Sequence, residues 1–184
     1  MTKALLIIDY TNDFVATEGA LTVGEPAQAL APKITQLATD FLINGDYVIL
    51  PTDLHNANNP FEPEAKLFPP HNLKNTWGRQ YFGDLETWVQ NNKANEHVYV
   101  FPKNHYNSFA NTNLDNFLRE RKINELHLVG VCTDICVLHT AVAAYDLNYD
   151  VTIHADGVAT FNPIGQEWAL QHFKNSLGFQ VVDA

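Results

Sequence analysis

The chain has 184 residues, enough for one full-sized core, and with 46% hydrophobic and 17% charged residues its composition is globular rather than disordered. A formal net charge of −10 argues against binding to nucleic acid or to anionic lipid, both of which want a cationic face. The apolar opening Ala4–Ile8 ends at Asp9, too short for a signal-peptide core or a membrane span, so a cytoplasmic protein with reduced cysteines is expected.

In chain order, Ala4–Ile8 reads as a first strand with Asp9 at its carboxyl end. Ile34, Leu37, Phe41 and Leu42 recur at helical spacing and stop near Gly45. Tyr47–Leu50 reads as a second strand, followed by Asp53 and His55. The stretch 53–83 is the longest without periodicity, and an irregular segment of about 30 residues is usually functional. Val98–Phe101 reads as a third strand, followed by Lys103; Leu114, Phe117 and Leu118 mark a helix. Leu126–Val131 is the fourth strand, after which come Thr133, Asp134 and Cys136. A helical stripe then runs through Val137, Thr140, Ala141, Ala144 and Leu147. Val151–Ile153 is the fifth strand and Gln180–Val182 the sixth. Between them, Trp168, Leu170, Phe173 and Leu177 form a helical stripe, with Pro163 near its start and Gly178 past its end.

Strands alternating with helices imply βαβ units. The expected fold is α/β: a three-layer sandwich with a central, mostly parallel six-stranded sheet flanked by helices. It forms a single domain over residues 1–184, with a loop region at about 53–83. In open sheets of this kind ligands sit beyond the carboxyl ends of the strands. Asp9, the pair Asp53 and His55, Lys103, and the group Thr133, Asp134 and Cys136 all follow strands, so all converge on one edge.

Cys136 falls in the first turn of a helix if that helix begins near Thr133, with Thr133 or Asp134 as its cap. Free N–H groups and the helix dipole there favour a thiolate and can hold an oxyanion. The plainer reading is a small buried hydrophobe. Asp9 could take the thiol proton and Lys103 could stabilise the resulting anion. Asp53, His55, Glu62, Glu64 and His71 gather in the loop. Imidazoles with carboxylates suit zinc, iron or manganese, and the mixture does not choose among them.

Together these residues resemble the isochorismatase-like hydrolase family and, within it, the nicotinamidases. The resemblance rests on "ALLIIDYTNDFV", "PTDLH" with "FPPHN", "FPKNHYNSF" and "GVCTDICVLHTA". It implies a catalytic set of Asp9, Lys103 and Cys136, with backbone N–H groups of Cys132 and Cys136 as oxyanion donors and a cis peptide at Val131–Cys132. It implies one divalent metal, zinc first with manganese or iron as alternatives, on Asp53, His55, Glu64 and His71. Phe14, Leu21, Phe68 and Tyr106 match the walls around the substrate ring. The implied reaction is hydrolysis of nicotinamide to nicotinate and ammonia through a Cys136 thioester, serving NAD salvage, with pyrazinamide and related carboxamides also fitting. The implied partner is this small molecule alone; a homo-oligomer is compatible. Cys132 departs from the family pattern, in which a small or aliphatic residue is usual. Two rivals remain: a sister cysteine hydrolase acting on another small amide or carbamoyl compound without a metal, and a non-catalytic metal- or thiol-binding redox sensor using Cys132 and Cys136.

Overall fold

The computed structural model describes residues 2–57 and 59–183. Its centre is β1 (Ala4–Ile8), buried over its whole length. An unbroken apolar run without alternation is what a strand covered on both faces requires. Side chains alternate along it: Ala4, Leu6 and Ile8 enter one core and Leu5 and Ile7 the other. Each such leucine or isoleucine, removed from water, contributes roughly 1.5–3 kcal/mol.

After β1 the chain makes two single-turn helices, α1 (Asn12–Val15) and α2 (Glu25–Gln28), then the long α3 (Ala31–Ile43). Next comes β2 (Tyr47–Asp53), and then the long loop, which carries short 3₁₀ turns at Pro63–Lys66 and Trp77–Arg79. The remainder is α4 (Asp84–Asn92), β3 (Val98–Lys103), α5 (Leu114–Glu120), β4 (Glu125–Val131), a wide π turn at Thr133–Val137 running into α6 (Leu138–Asp146), β5 (Asp150–Ala159), α7 (Pro163–Asn175) and β6 (Gln180–Val182). The sheet order is β3-β2-β1-β4-β5-β6, and every pairing is parallel. The sheet is thus wholly parallel where a mostly parallel one is expected from sequence.

Ile34, Ala38 and Phe41 of α3, with Leu85 and Val89 of α4, cover one face. Leu114, Phe117 and Leu118 of α5, Ala141 and Ala144 of α6, and Ala169 and Phe173 of α7 cover the other. These are the three layers. Helix α4 lacks a sequence signal because it buries only Leu85 and Val89. Strands β2 and β3 run on to Asp53 and Lys103, past Pro51 and Pro102, which hide their length. Strand β5 spans ten residues instead of three, because polar His154 and Asp156 break its apolar run.

Beyond β1 the order reverses, with β2 and β3 on one side and β4, β5 and β6 on the other. This reversal is the topological switch point at which open α/β sheets place ligands. Gly130 makes the close approach of β4 to β1 possible. Its φ is +112°, and a Cβ there would overlap the Ile8 carbonyl oxygen and lie 2.7 Å from the Ile8 nitrogen. Only glycine meets both demands, one residue before Asp9.

Candidate active site

Asp9 ends β1 in a left-handed conformation with φ of 54°, uncommon for a residue other than glycine but tolerated by aspartate. Its N–H donates to the Pro51 carbonyl at 3.3 Å, and its own carbonyl accepts from Thr11 N at 2.8 Å. The turn lifts the carboxylate over the sheet edge, where Oδ1 accepts from Asp53 N at 2.8 Å and Oδ2 meets Lys103 Nζ at 2.6 Å. Both side chains are fully buried. Lys103 Nζ also donates to the His105 carbonyl at 3.1 Å, lies 3.6 Å from Asp53 Oδ1 and reaches Cys136 Sγ at 3.9 Å. Cys136 sits in the π turn. Acid and thiol, distant in sequence, therefore meet at one ammonium.

Burial pushes the Asp9 carboxyl up to about 6, against the pull of Lys103. Burial likewise pushes the Cys136 thiol well above its ordinary value, although Lys103 favours the thiolate. Burial alone would lower the lysine, but the carboxylates of Asp9 and Asp53 beside it hold its pKa above the usual range. At neutral pH the trio is a carboxylate, an ammonium and a neutral thiol. Desolvation thus outweighs the dipole effect expected for a cysteine at a helix start. Neither Thr133 nor Asp134 caps that start. The Cys132 carbonyl accepts from both Ile135 and Val137 N–H groups at 3.1 Å, and the Asp134 carboxylate lies against Gly165 in α7. The Val131–Cys132 peptide is cis.

Beside the trio, ligand atoms of Asp53, His55, Glu64 and His71 all lie within 4.8 Å of one another, and all four residues are buried. His55 Nε2 is 2.8 Å from Asp53 Oδ2 and 3.9 Å from Glu64 Oε1. His71 Nε2 is 3.4 Å from the same Asp53 oxygen and 3.5 Å from Glu64 Oε2. His71 Nε2 and Asp53 Oδ1 are buried without a well-formed hydrogen bond. Burial opposes charge on His71, yet Asp53 and Glu64 raise its pKa to about 10. Burial also opposes charge on Asp53, yet Lys103 and the two imidazoles hold its carboxyl far below the usual range. The cluster draws positive charge to its centre, and two imidazoles with two carboxylates suit a divalent cation such as zinc. Glu64 stands with the other three residues of the cluster; Glu62 does not.

Cys136 of the trio and Glu64 of the cluster open on one pocket of about 510 Å³, and His55, Glu64 and His71 border a neighbouring smaller one. Phe14, Leu21, Phe68 and Tyr106 all line it, as do Glu64 and Cys136. The ring of Phe14 lies 5.4 Å from that of His71. Sequence reading misses further lining residues, among them Thr22, Ile135 and Phe161, and the Cys132 side chain also lines the pocket. Burial pushes the Cys132 thiol up to about 12, which leaves it a poor nucleophile. Also missed is Asp13, which ties two walls together: Oδ1 accepts from Ala20 N at 3.2 Å and Oδ2 from Asn72 N at 2.7 Å. Asn72 in turn accepts from Thr11 Oγ1 at 2.9 Å, and its carbonyl accepts from His55 N at 3.2 Å. Arg79 Nε donates to the Asp53 carbonyl at 2.9 Å. These tethers join residues far apart in the chain, and no local pattern announces them. Among the described residues no helix is long and apolar enough to cross a membrane.

Comparison with known proteins agrees with this geometry. The isochorismatase domain family model matches residues 3–184. The isochorismatase-family protein PncA of Bacillus subtilis is 50% identical over 183 residues, covering 100% of both chains. A crystal structure of nicotinamidase/pyrazinamidase PncA from Bacillus subtilis superposes with a TM-score of 0.98 at 52% identity, again over 100% of each chain. The pyrazinamidase of Pyrococcus horikoshii in complex with zinc superposes with a TM-score of 0.86 at 27% identity over 100% of each chain.

Proposed function

The chain belongs to the isochorismatase family of hydrolases, and from that premise we propose that it is a metal-dependent nicotinamidase of one domain. It would cleave nicotinamide to nicotinate and ammonia, with pyrazinamide as a related substrate, in the cytoplasmic salvage of NAD. The observation that carries this reading is the contact of Lys103 Nζ with both Asp9, at 2.6 Å, and Cys136 Sγ, at 3.9 Å, beside a four-residue cluster whose Glu64 lines the same pocket as Cys136.

Asp9 takes the proton of the Cys136 thiol, and Lys103 holds the charges that result. The thiolate attacks the carboxamide carbon. Backbone N–H groups of Cys132 and Cys136 stabilise the oxyanion, a contribution of typically ~10²–10³ in rate per donor. Asp9 returns the proton to the leaving nitrogen, ammonia departs and a Cys136 thioester remains. A water deprotonated by Asp9 cleaves the thioester, freeing nicotinate and restoring the thiol. When bound, a divalent metal on Asp53, His55, Glu64 and His71, zinc first, supplies a Lewis-acid anchor for the ring nitrogen. Phe14, Leu21, Phe68 and Tyr106 confine the flat ring, so that orientation is set before the chemistry begins.

Ammonia release from nicotinamide, measured on wild type, Cys136→Ala and chelator-stripped protein, tests the proposal. Turnover is expected only in the first, returning to the stripped protein with added Zn²⁺. Activity surviving in Cys136→Ala would end the covalent route, and activity unaffected by stripping would favour a metal-free sister hydrolase.

A further inference from the structure

The metal half of the proposed function leaves one buried carboxylate without a task. Glu62 is 6% exposed and is not among the four clustered ligands. Its Oε2 lies 2.7 Å from His55 Nδ1, on the opposite side of the imidazole from the ligand-facing Nε2. Its other oxygen accepts from Asn59 Nδ2 at 3.1 Å, and Asn59 Oδ1 accepts from Phe61 N at 3.1 Å. A buried carboxylate held at both oxygens is costly unless its hydrogen bonds do something.

We infer that Glu62 is a positioning residue for the metal site: it accepts the Nδ1 proton of His55, so that the Nε2 lone pair faces the position shared by Asp53, Glu64 and His71. A histidine that lends one nitrogen to a metal needs its other N–H taken up, which sets the tautomer and the plane of the ring. His71 meets the same need differently, with Nδ1 2.9 Å from the Pro69 carbonyl. The two imidazoles are therefore set with the same nitrogen inward, one by a neutral backbone carbonyl and the other by a side chain that substitution can remove.

The inference rests on the proposed metal site and not on amide turnover, so its test reads metal alone. Zn²⁺ affinity is measured by competition with a chromogenic chelator on wild type, Glu62→Ala and Glu62→Gln. Loss of such an outer partner typically weakens binding by about 10–100-fold, and that loss is expected for Glu62→Ala. Glu62→Gln can still accept the Nδ1 proton through its amide oxygen and is expected to restore most of the affinity. Nitrogen-15 spectra of zinc-loaded wild type, which need no variant to fold, are expected to show His55 protonated at Nδ1. Equal affinities in wild type and Glu62→Ala, or a His55 protonated at Nε2, would overturn the role of Glu62. A wild type that takes no Zn²⁺ would overturn both this role and the metal reading beneath it.

Discussion

Substituting Lys103 by methionine isolates the interaction that organises the site. Lys103 and Asp9 are fully buried and 2.6 Å apart, with Asp53 Oδ1 3.6 Å from the same ammonium. Methionine keeps the apolar stem and removes the charge. Losing one partner of a buried pair costs about 3–5 kcal/mol, because the other charge stays behind unpaired. The loss has a pH signature. Burial already raises the Asp9 carboxyl to about 6, and without the ammonium it rises further. A carboxyl whose folded pKa lies above its unfolded value of about 3.9 binds more protons when folded, so stability falls as pH rises between the two values, by about 1.4 kcal/mol per unit. Lys103→Met should therefore lose about 3–5 kcal/mol near pH 8 and distinctly less near pH 5. The double variant Asp9→Asn/Lys103→Met leaves no stranded charge at that position and should be more stable than the two single losses summed, by at least about 2 kcal/mol. Urea unfolding of zinc-loaded protein, followed by tryptophan fluorescence, measures all four corners of the cycle. Additive losses, or a penalty for Lys103→Met below about 1 kcal/mol at every pH, would refute the claim that this pair is coupled and desolvated.

Three other outcomes follow from the same geometry. The proposed mechanism requires Asp9 as a carboxylate, so kcat/KM should climb with pH to a plateau above about 6, with the slope of a single proton on the acid side; a profile flat down to about pH 4 would remove Asp9 as the base. Gly130→Ala should cost at least about 2 kcal/mol in thermal or urea unfolding, from the strain of φ +112° and the overlap with the Ile8 carbonyl, and should lower kcat because Ile8 carries Asp9; wild-type stability would show that β1 and β4 can part freely. His154, buried against His127 with its Nε2 2.9 Å from His127 Nδ1, is depressed from 6.5 to about 4 by burial first and by the positive neighbours His127 and Lys33 next. The unfolded chain then binds the extra proton between those values, so stability should fall by up to about 3 kcal/mol as pH drops from about 6.5 to about 4, and His154→Gln should flatten that slope in pH-dependent urea titrations.

How far the sequence speaks depends on whether a residue's neighbour is near in the chain. Strand β1 is plain in it because burial on both faces demands an unbroken apolar run, β4 because its buried end Leu128–Val131 is apolar, and α3 and α7 because each buries one stripe. Asp9, Lys103 and Cys136 are legible because each ends or follows a strand of a parallel sheet, and topology carries such positions to one rim. Helix α4 is not legible, since two buried side chains make no periodicity. The tasks of Asp13 and Glu62 are not legible either. Asp13 acts on backbone N–H groups at Ala20 and Asn72, and Glu62 on an imidazole seven residues back across a turn. No rule of spacing marks such contacts, which exist only once the loop is folded. The state of the Cys136 thiol is the instructive case. Its place at a helix start is read correctly, but the sign of the net effect is set by how completely the pocket excludes water.

The exclusion of water also explains why so many charges stand together at the switch point. Asp9, Asp53, Glu62 and Glu64 are all buried, and Lys103 is the only buried lysine among the described residues. One ammonium cannot offset four carboxylates in a dry site, and the imidazoles of His55 and His71 answer the remainder in this structure by being drawn toward the protonated form. A divalent cation would take over that part and let both imidazoles act as neutral ligands, as metal binding requires. In the proposed mechanism, occupancy of the metal site and the charge state of the trio would thereby be linked through Asp53, whose carboxylate faces the imidazoles with Oδ2 and Lys103 with Oδ1. Withdrawing the cation leaves Asp53 to draw more strongly on Lys103, the same ammonium that Cys136 needs when it gives up its proton. Metal loss should for that reason impair formation of the thiolate as well as the seating of the ring, a coupling that follows from one aspartate touching both halves of the site.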